Sequence, residues 1–92
     1  MPLYWASYFG YMNITHILLD HGANVNAISI SHKTPLFKAS EAGHLKVVQL
    51  LLACGVDMHI QTKDGQTAFQ VAISKNHTHV AQLLLEHGTE NE

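Results

Sequence analysis

Eight histidines and one cysteine in a chain of 92 residues are the side chains that could bind a transition metal. His77 and His79 are two residues apart, so on a helix they point in different directions. The regular alignment is His21, Cys54 and His87, which are evenly spaced along the chain. Packed helices lie about 8–10 Å apart, whereas ligands of one zinc ion lie within about 4 Å of each other. We therefore predict no metal site and no cofactor.

Catalytic motifs are also missing from the sequence. Cys54 is not accompanied by a His/Asp or His/Asn pattern that would mark an activated nucleophile. There is no glycine-rich phosphate loop, no HExxH motif and no close pair of carboxylates. We predict that the protein is not an enzyme.

The composition narrows the class of partner and the compartment. The formal net charge is -2, and no basic stripe is present that could bind nucleic acid or an anionic membrane. A single cysteine cannot form a disulfide within the chain, which favours an intracellular location, cytoplasmic or nuclear. No apolar run approaches the ~20 residues of a transmembrane helix. The apolar stretch 3–12 is interpreted as structure, because no positive residue precedes it as in a signal peptide.

One fixed interval recurs along the chain and predicts its architecture. Residues related by this interval are identical at several positions: Thr34 and Thr67, Ala39 and Ala72, His44 and His77, Val47 and Val80, Gly55 and Gly88. The same step backwards gives Ala6, Leu18, Leu19 and Gly22. A period of about 33 residues indicates supersecondary units stacked on one another. Function is then expected on an extended surface and not in a cleft.

The second block shows how one unit begins. Thr34 followed by Pro35 predicts a helix start, because the hydroxyl accepts a free N–H and proline fits the first helical position. Gly43 predicts a left-handed turn at the end of this short helix. In the third block Asn76 stands at that position, and asparagine is the next most tolerant residue for this conformation.

A second helix and a loop complete the unit. The helix is predicted from His44 to about Cys54, with Gly55 ending it. Gly22 and Gly88 are expected to end the corresponding helices. Residues 56–63 then lead to a tight turn, which the dipeptide at residues 64–65 (Asp-Gly) predicts.

Together these residues resemble the ankyrin repeat. The residues that carry the resemblance are Thr34-Pro35-Leu36, Ala39, Gly43-His44, Val47-Val48, Leu50-Leu51-Leu52 and Gly55. Residues 22–26 are similar to the end of such a repeat, and residues 64–67 to its beginning. The resemblance implies an all-α repeat solenoid of helix-turn-helix units with hairpin loops. It implies one domain, 1–92, with repeats at about 1–28, 29–61 and 62–92 and no distinct capping repeats, the first repeat lacking its hairpin arm.

The chain departs from the family pattern at three positions. His32 stands where the pattern has glycine, which predicts a distorted loop at residues 29–33. Ala68 replaces the usual proline and Gln70 the usual histidine, which weakens the signal for the start of the third repeat's first helix. His44 and His77 occupy the family's structural histidine position, where we expect local hydrogen bonding.

The resemblance implies a non-catalytic module that binds a protein partner through a concave face and its loop tips. In the loops, the recognition positions are Ile30, Ser31, Lys33, Lys63, Asp64 and Gln66. On the first helices they are Tyr8, Phe9, Glu41, Ala42, Ser74 and Lys75. The alternative is a structural spacer, or a fragment of a longer array attached to another domain.

Two further features of the sequence suggest additional functions. Tyr4, Trp5, Tyr8, Phe9 and Tyr11 are predicted on one short helix, where they either pack against an upstream repeat or form a self-association patch. The resemblance also implies that Asn26, eight residues after Leu18, is a possible hydroxylation site.

Overall fold

The computed structural model describes the backbone of residues 1–90 and the side chains of residues 1–88. All regular structure in this part of the chain is helical. The helices are α1 (Pro2–Phe9), α2 (Met12–Asp20), α3 (Pro35–Ala42), α4 (Leu45–Ala53), α5 (Ala68–Ser74) and α6 (Thr78–Glu90). They form three antiparallel pairs, here called repeats 1, 2 and 3, as the sequence period predicts. The all-α repeat solenoid is confirmed.

The first helices of repeats 2 and 3 begin at threonine caps. Thr34 Oγ1 accepts the backbone N–H of Phe37 over 3.0 Å, which satisfies one of the free donors of α3. Thr67 Oγ1 accepts the N–H of Gln70 over 3.2 Å, and Gln70 Oε1 accepts the N–H of Thr67 over 2.9 Å. This reciprocal capping box keeps the start of α5 at Ala68 without the usual proline.

Left-handed residues connect the helices within each repeat. Gly10, Gly43 and Asn76 have φ values of 74°, 79° and 64°. The predicted turn at Gly43 and its asparagine equivalent are therefore confirmed. Gly22 and Gly55, with φ values of 84° and 78°, follow the ends of α2 and α4 as predicted.

The prediction that Gly88 ends the last helix was wrong. Helix α6 passes through Gly88 and continues to Glu90. Glycine permits a left-handed turn but does not require one. After Gly55 the turn is secured by Val56, an apolar residue that is buried in the core, whereas a polar threonine comes after Gly88 in the sequence.

The prediction of a distorted first loop was also wrong. In loops 29–33 and 62–66 the N–H of the first residue donates to the carbonyl of the fifth, over 3.0 and 2.9 Å. His32 adopts φ 61° where the second loop has Gly65 at φ 80°. Histidine is one of the few side chains found repeatedly in this region, so the turn is retained without glycine.

The helices form two layers around a continuous apolar core. Helices α1, α3 and α5 pack side by side in one layer, and α2, α4 and α6 form the second. Ala39 and Ala72 lie at the same position of α3 and α5, are fully buried, and let these helices approach closely. Leu51 and Leu84 fill the space between the layers.

Candidate partner-binding surface

The tips of the two loops lie against each other. The backbone N–H of Lys63 donates to the carbonyl oxygen of Ser31 over 3.1 Å. The six predicted loop positions therefore lie on adjoining loops. Ile30, Lys63 and Asp64 are exposed, whereas Ser31, Lys33 and Gln66 are half-buried. Ile30 is the most exposed large apolar side chain of the described residues, at 90%.

The six predicted helical positions lie at the carboxyl ends of α1, α3 and α5. Phe9, Ser74 and Lys75 are exposed, and Tyr8, Glu41 and Ala42 are half-buried. Lys75 is the residue that follows the last turn of α5. Because these three helices are neighbours in one layer, their ends form one edge of the stack. The loop and helix positions together are called the recognition surface below.

Two of these helix ends accept hydrogen bonds from histidines of the following repeat. His44 Nε2 donates to the carbonyl of Tyr8 over 2.9 Å, and His77 Nε2 donates to the carbonyl of Glu41 over 3.0 Å. Carbonyls in the last turn of a helix lack partners within the helix, so each imidazole satisfies one. The predicted hydrogen bonds exist, but they are not local. Each spans 36 residues and joins neighbouring repeats.

Glycine allows each imidazole to approach this closely. A Cβ added at Gly10 would lie 2.6 Å from Nδ1 of His44, and one added at Gly43 would lie 2.6 Å from Nδ1 of His77. The turn glycines therefore provide both the left-handed φ and the space for the ring.

Lys38 is part of this surface, although sequence analysis did not select it. Its Nζ is 2.6 Å from Oε1 of Glu41 and 4.5 Å from the ring centroid of Tyr8. The i, i+3 spacing of Lys38 and Glu41 could have predicted the ion pair. The contact with Tyr8 crosses between repeats and depends on how α1 and α3 pack. Glu41 and Tyr8 are consequently held in place by one largely buried cation instead of projecting freely.

Lys33 is ordered in a similar way. Its Nζ lies 5.6 Å from the ring centroid of Phe37, and its backbone N–H donates to Oγ of Ser29 over 3.2 Å. The exposed cations of the recognition surface are thus Lys63 and Lys75.

Asn26 connects the turns that follow α2 and α4. Its Oδ1 accepts the backbone N–H of Asp57 over 2.8 Å, and its own N–H donates to Oδ1 of Asn24 over 3.0 Å. The side chain is half-buried.

The N-terminal aromatic residues form a chain of ring contacts. Tyr4 is buried, with 9% exposure, and Trp5, Phe9 and Tyr11 are all more than half exposed. The ring centroids of Trp5 and Phe9 are 6.1 Å apart, and those of Phe9 and Tyr11 are 5.7 Å apart. The prediction placed all five aromatics on one helix. This was wrong for Tyr11, because the turn at Gly10 separates it from α1.

Two of the histidines that do not join repeats make contacts with neighbouring residues of the same repeat. Nδ1 of His21 donates to the carbonyl of Ile17 over 2.9 Å at the end of α2, and His16 lies 3.0 Å from the carboxylate of Asp20. Among residues 1–88, whose side chains the structure describes, no three His, Cys, Asp or Glu side chains lie close enough to hold a metal ion.

Three helix pairs stacked through repeating contacts define a repeat-protein solenoid. A family model described as ankyrin repeats (3 copies) matches residues 1–62 and 47–92. The chain belongs to the ankyrin repeat family. A comparison with curated proteins gave no match. None of the helices described is both long and apolar enough to cross a membrane.

Proposed function

We propose that this chain is a non-catalytic module that binds a protein partner through the recognition surface. Ankyrin repeats are in general protein–protein interaction modules. The observation that carries the proposal is the bond between Lys63 and Ser31, which holds the two loop tips in register. Loops that are already ordered lose little conformational entropy when a partner binds.

The side chains on this surface suggest how a partner is held. Ile30 projects from the loop tips as an exposed apolar anchor, and Lys63 and Asp64 add charges of both signs on the adjoining loop. Lys75 adds an exposed cation at the carboxyl end of α5. An apolar centre with a polar rim is typical of protein interfaces. The formal net charge of -2 favours a protein partner over nucleic acid, and the single cysteine favours an intracellular location.

Affinity capture with matched variants tests this proposal. The recognition variant carries Ile30→Asp, Lys63→Glu and Lys75→Glu. The control carries Lys46→Glu, an exposed change on α4, which lies in the second layer. A true partner is captured by the wild type and the control and is lost from the recognition variant. The Kd of this partner is then measured by calorimetry for the purified wild type, the control and the recognition variant. Equal affinity for wild type and recognition variant would overturn the assignment of this surface, and circular dichroism verifies that each variant is folded.

We also propose Asn26 as a substrate of an asparaginyl hydroxylase, which would insert one oxygen atom of dioxygen into a Cβ–H bond while the second oxygen atom converts a 2-oxo acid co-substrate into a carboxylic acid and carbon dioxide. Asn26 lies in the turn after α2, and its half-buried side chain bonds only a backbone N–H of the described residues. Incubation with such an enzyme should add the mass of one oxygen atom to the wild type and to the Asn24→Ala control. The Asn26→Ala variant should stay unchanged. An identical mass gain in Asn26→Ala would place the modification elsewhere.

The N-terminal aromatic residues form a second candidate surface, for self-association. Since Tyr4 is buried, the predicted self-association patch is reduced mainly to Trp5, Phe9 and Tyr11. In the alternative function, a structural spacer within a longer array, the same side chains would contact another repeat instead of a second copy of the chain.

A further inference from the structure

Equivalent positions of the recognition surface change from apolar to positively charged along the stack. On the first helices, Phe9 of α1 is equivalent to Ala42 of α3 and Lys75 of α5, each one sequence period from the next. In the loops, Ile30 is equivalent to Lys63 by the same interval. Both series therefore begin with an exposed apolar side chain and end with an exposed lysine towards repeat 3.

Trp5 connects the two apolar positions. Its ring centroid is 6.1 Å from that of Phe9, and the two rings are nearly parallel, with an angle of 25° between their planes. Trp5 and Ile30 also line one cleft of about 450 Å³, whose lining residues carry no charged side chain. Trp5, Phe9 and Ile30 are each at least half exposed and are called the apolar end below.

Lys63 and Lys75, called the lysine end below, are the exposed cations of this surface. The lysines Lys33 and Lys38 instead lie over aromatic rings of the chain. Asp64, next to Lys63, is an exposed carboxylate at the same end. Two cations therefore stand against one carboxylate here, although the net charge of the whole chain is -2.

We propose that the recognition surface binds an extended acidic segment of a partner protein, which places an aromatic side chain on the apolar end and carboxylates at the lysine end. The inference rests on the proposed function, because it names the class of partner for the same surface. An aromatic anchor extends the ring contacts of Trp5 and Phe9. Carboxylates complement the charges of Lys63 and Lys75, which a basic segment would not.

The dimensions of the stack set the spacing within this segment. Packed helices lie about 8–10 Å apart, so Lys75 lies about 16–20 Å from Phe9, two helices away. Lys63 lies one step from Ile30. An extended chain advances about 3.3 Å per residue, which places the carboxylates about three to six residues from the anchor. Ala42 lies between Phe9 and Lys75, and its small, half-buried side chain leaves room for the main chain of the segment.

The carboxylate in the middle of this path does not oppose an acidic segment. Oε1 of Glu41 lies 2.6 Å from Nζ of Lys38, and both side chains are largely buried. The pair is neutral overall, so the segment passes it without net repulsion.

Two synthetic peptides test the inference: Phe-Phe-Pro-Ser-Glu-Pro-Glu-Glu and the same residues in reverse order, which cover both chain directions. Their inner prolines prevent helix formation. Trp5 is the single tryptophan of the protein, so its fluorescence measures the Kd at the apolar end without a label. We expect one of the two peptides to bind. Replacing both phenylalanines by alanine, or the three glutamates by lysine, should weaken its binding about tenfold or more.

Charge reversal on the protein locates the acidic half of the peptide. Lys75→Glu should weaken binding of the acidic peptide about fivefold at low salt, and it should bind the lysine peptide more tightly than the wild type does. Lys46→Glu changes the net charge equally on α4 and should bind the acidic peptide like the wild type. Lys63→Glu repeats the test in the loop, and circular dichroism verifies that each variant is folded. Equal weakening by Lys75→Glu and Lys46→Glu would overturn the inference, because only net charge would then matter.

The failure of this inference can be told apart from failure of the proposed function. If neither peptide binds the wild type, the inference is overturned, yet the proposed function stands where a captured partner is lost from the recognition variant. Sedimentation of the unmodified chain tests another occupant of the apolar end. A dimer in which Trp5 is protected from acrylamide quenching would overturn the inference, because a second copy then covers the anchor site.

Discussion

The imidazole of His77 lies on Gly43, with 2.6 Å between Nδ1 and the position that a Cβ of residue 43 would take. The same ring bonds the carbonyl of Glu41 through Nε2 over 3.0 Å. One side chain therefore fixes both the turn and the helix end of the preceding repeat. His44 makes the same two contacts with Gly10 and Tyr8.

The first prediction concerns the space at Gly43. We expect Gly43→Ala to lower the free energy of unfolding by about 2–4 kcal/mol, since it combines left-handed strain with a clash against His77. Gly55→Ala is the matched control, because φ is 78° and no atom lies within 4 Å of its Cβ. It should cost only about 1–2 kcal/mol of strain. Urea denaturation measures both values, and equal losses would contradict the role of the ring.

The second prediction concerns the coupling between Gly43 and His77. His77→Ala should cost about 1–2 kcal/mol, because it leaves the carbonyl of Glu41 without its partner. Once the ring is removed, Gly43→Ala should cost only as much as Gly55→Ala. The double-mutant cycle should therefore give a coupling energy of about 1 kcal/mol or more. If the unfolding free energies lost in the two single variants simply add in the double variant, the His77 ring does not restrict the space at Gly43.

The third prediction concerns the core between the two layers. Leu51 is fully buried at the centre of repeat 2, and Leu51→Ala should cost about 2–5 kcal/mol. A stack of three repeats has only two internal interfaces, so this loss should unfold much of the chain. The neighbouring Leu50 is half-buried, and Leu50→Ala should lower the midpoint of thermal unfolding much less. Similar melting curves for the two variants, followed by circular dichroism, would show that the stacking register is wrong.

The fourth prediction concerns the capping box of α5. Gln70→Ala should cost about 0.5–1 kcal/mol, because it leaves the N–H of Thr67 without its side-chain acceptor. Thr67→Ala should cost about 1 kcal/mol, because the hydroxyl caps the N–H of residue 70. If Gln70 caps the helix, Gln70→Glu should retain the stability that Gln70→Ala loses. Hydrogen exchange of the first amides of α5 provides the local measurement, and unchanged exchange in Gln70→Ala would count against the cap.

Local signals in the sequence were sufficient to predict most helix starts and turns of the fold. Thr34 and Thr67 begin helices because a hydroxyl can bond an N–H three residues later in the same chain. Gly43 and Asn76 form turns because their own backbones tolerate positive φ. Gly88 shows the limit of such reasoning. Whether a glycine turns the chain depends on the residue after it, and at Gly88 the helix simply continues.

The candidate site was less accessible to sequence reasoning. The acceptors of His44 and His77 lie 36 residues away, and no local pattern identifies them. Lys38 was missed because its contact with Tyr8 depends on the rotation of α1 against α3. The tolerance of His32 for a left-handed conformation depends on the bonds that close the whole loop, which a single position does not reveal.

Both histidine bonds between repeats end on main-chain oxygens, those of Tyr8 and Glu41. Every amino acid carries that oxygen, so a change of side chain at position 8 or 41 leaves the acceptor in place. Evolution can therefore alter the residues that distinguish one partner from another without removing the bonds that hold the stack together. A library randomised at these two positions should keep both histidine bonds while its binding preferences diverge, and its members should lose stability where Lys38 no longer has a carboxylate or an aromatic ring beside it.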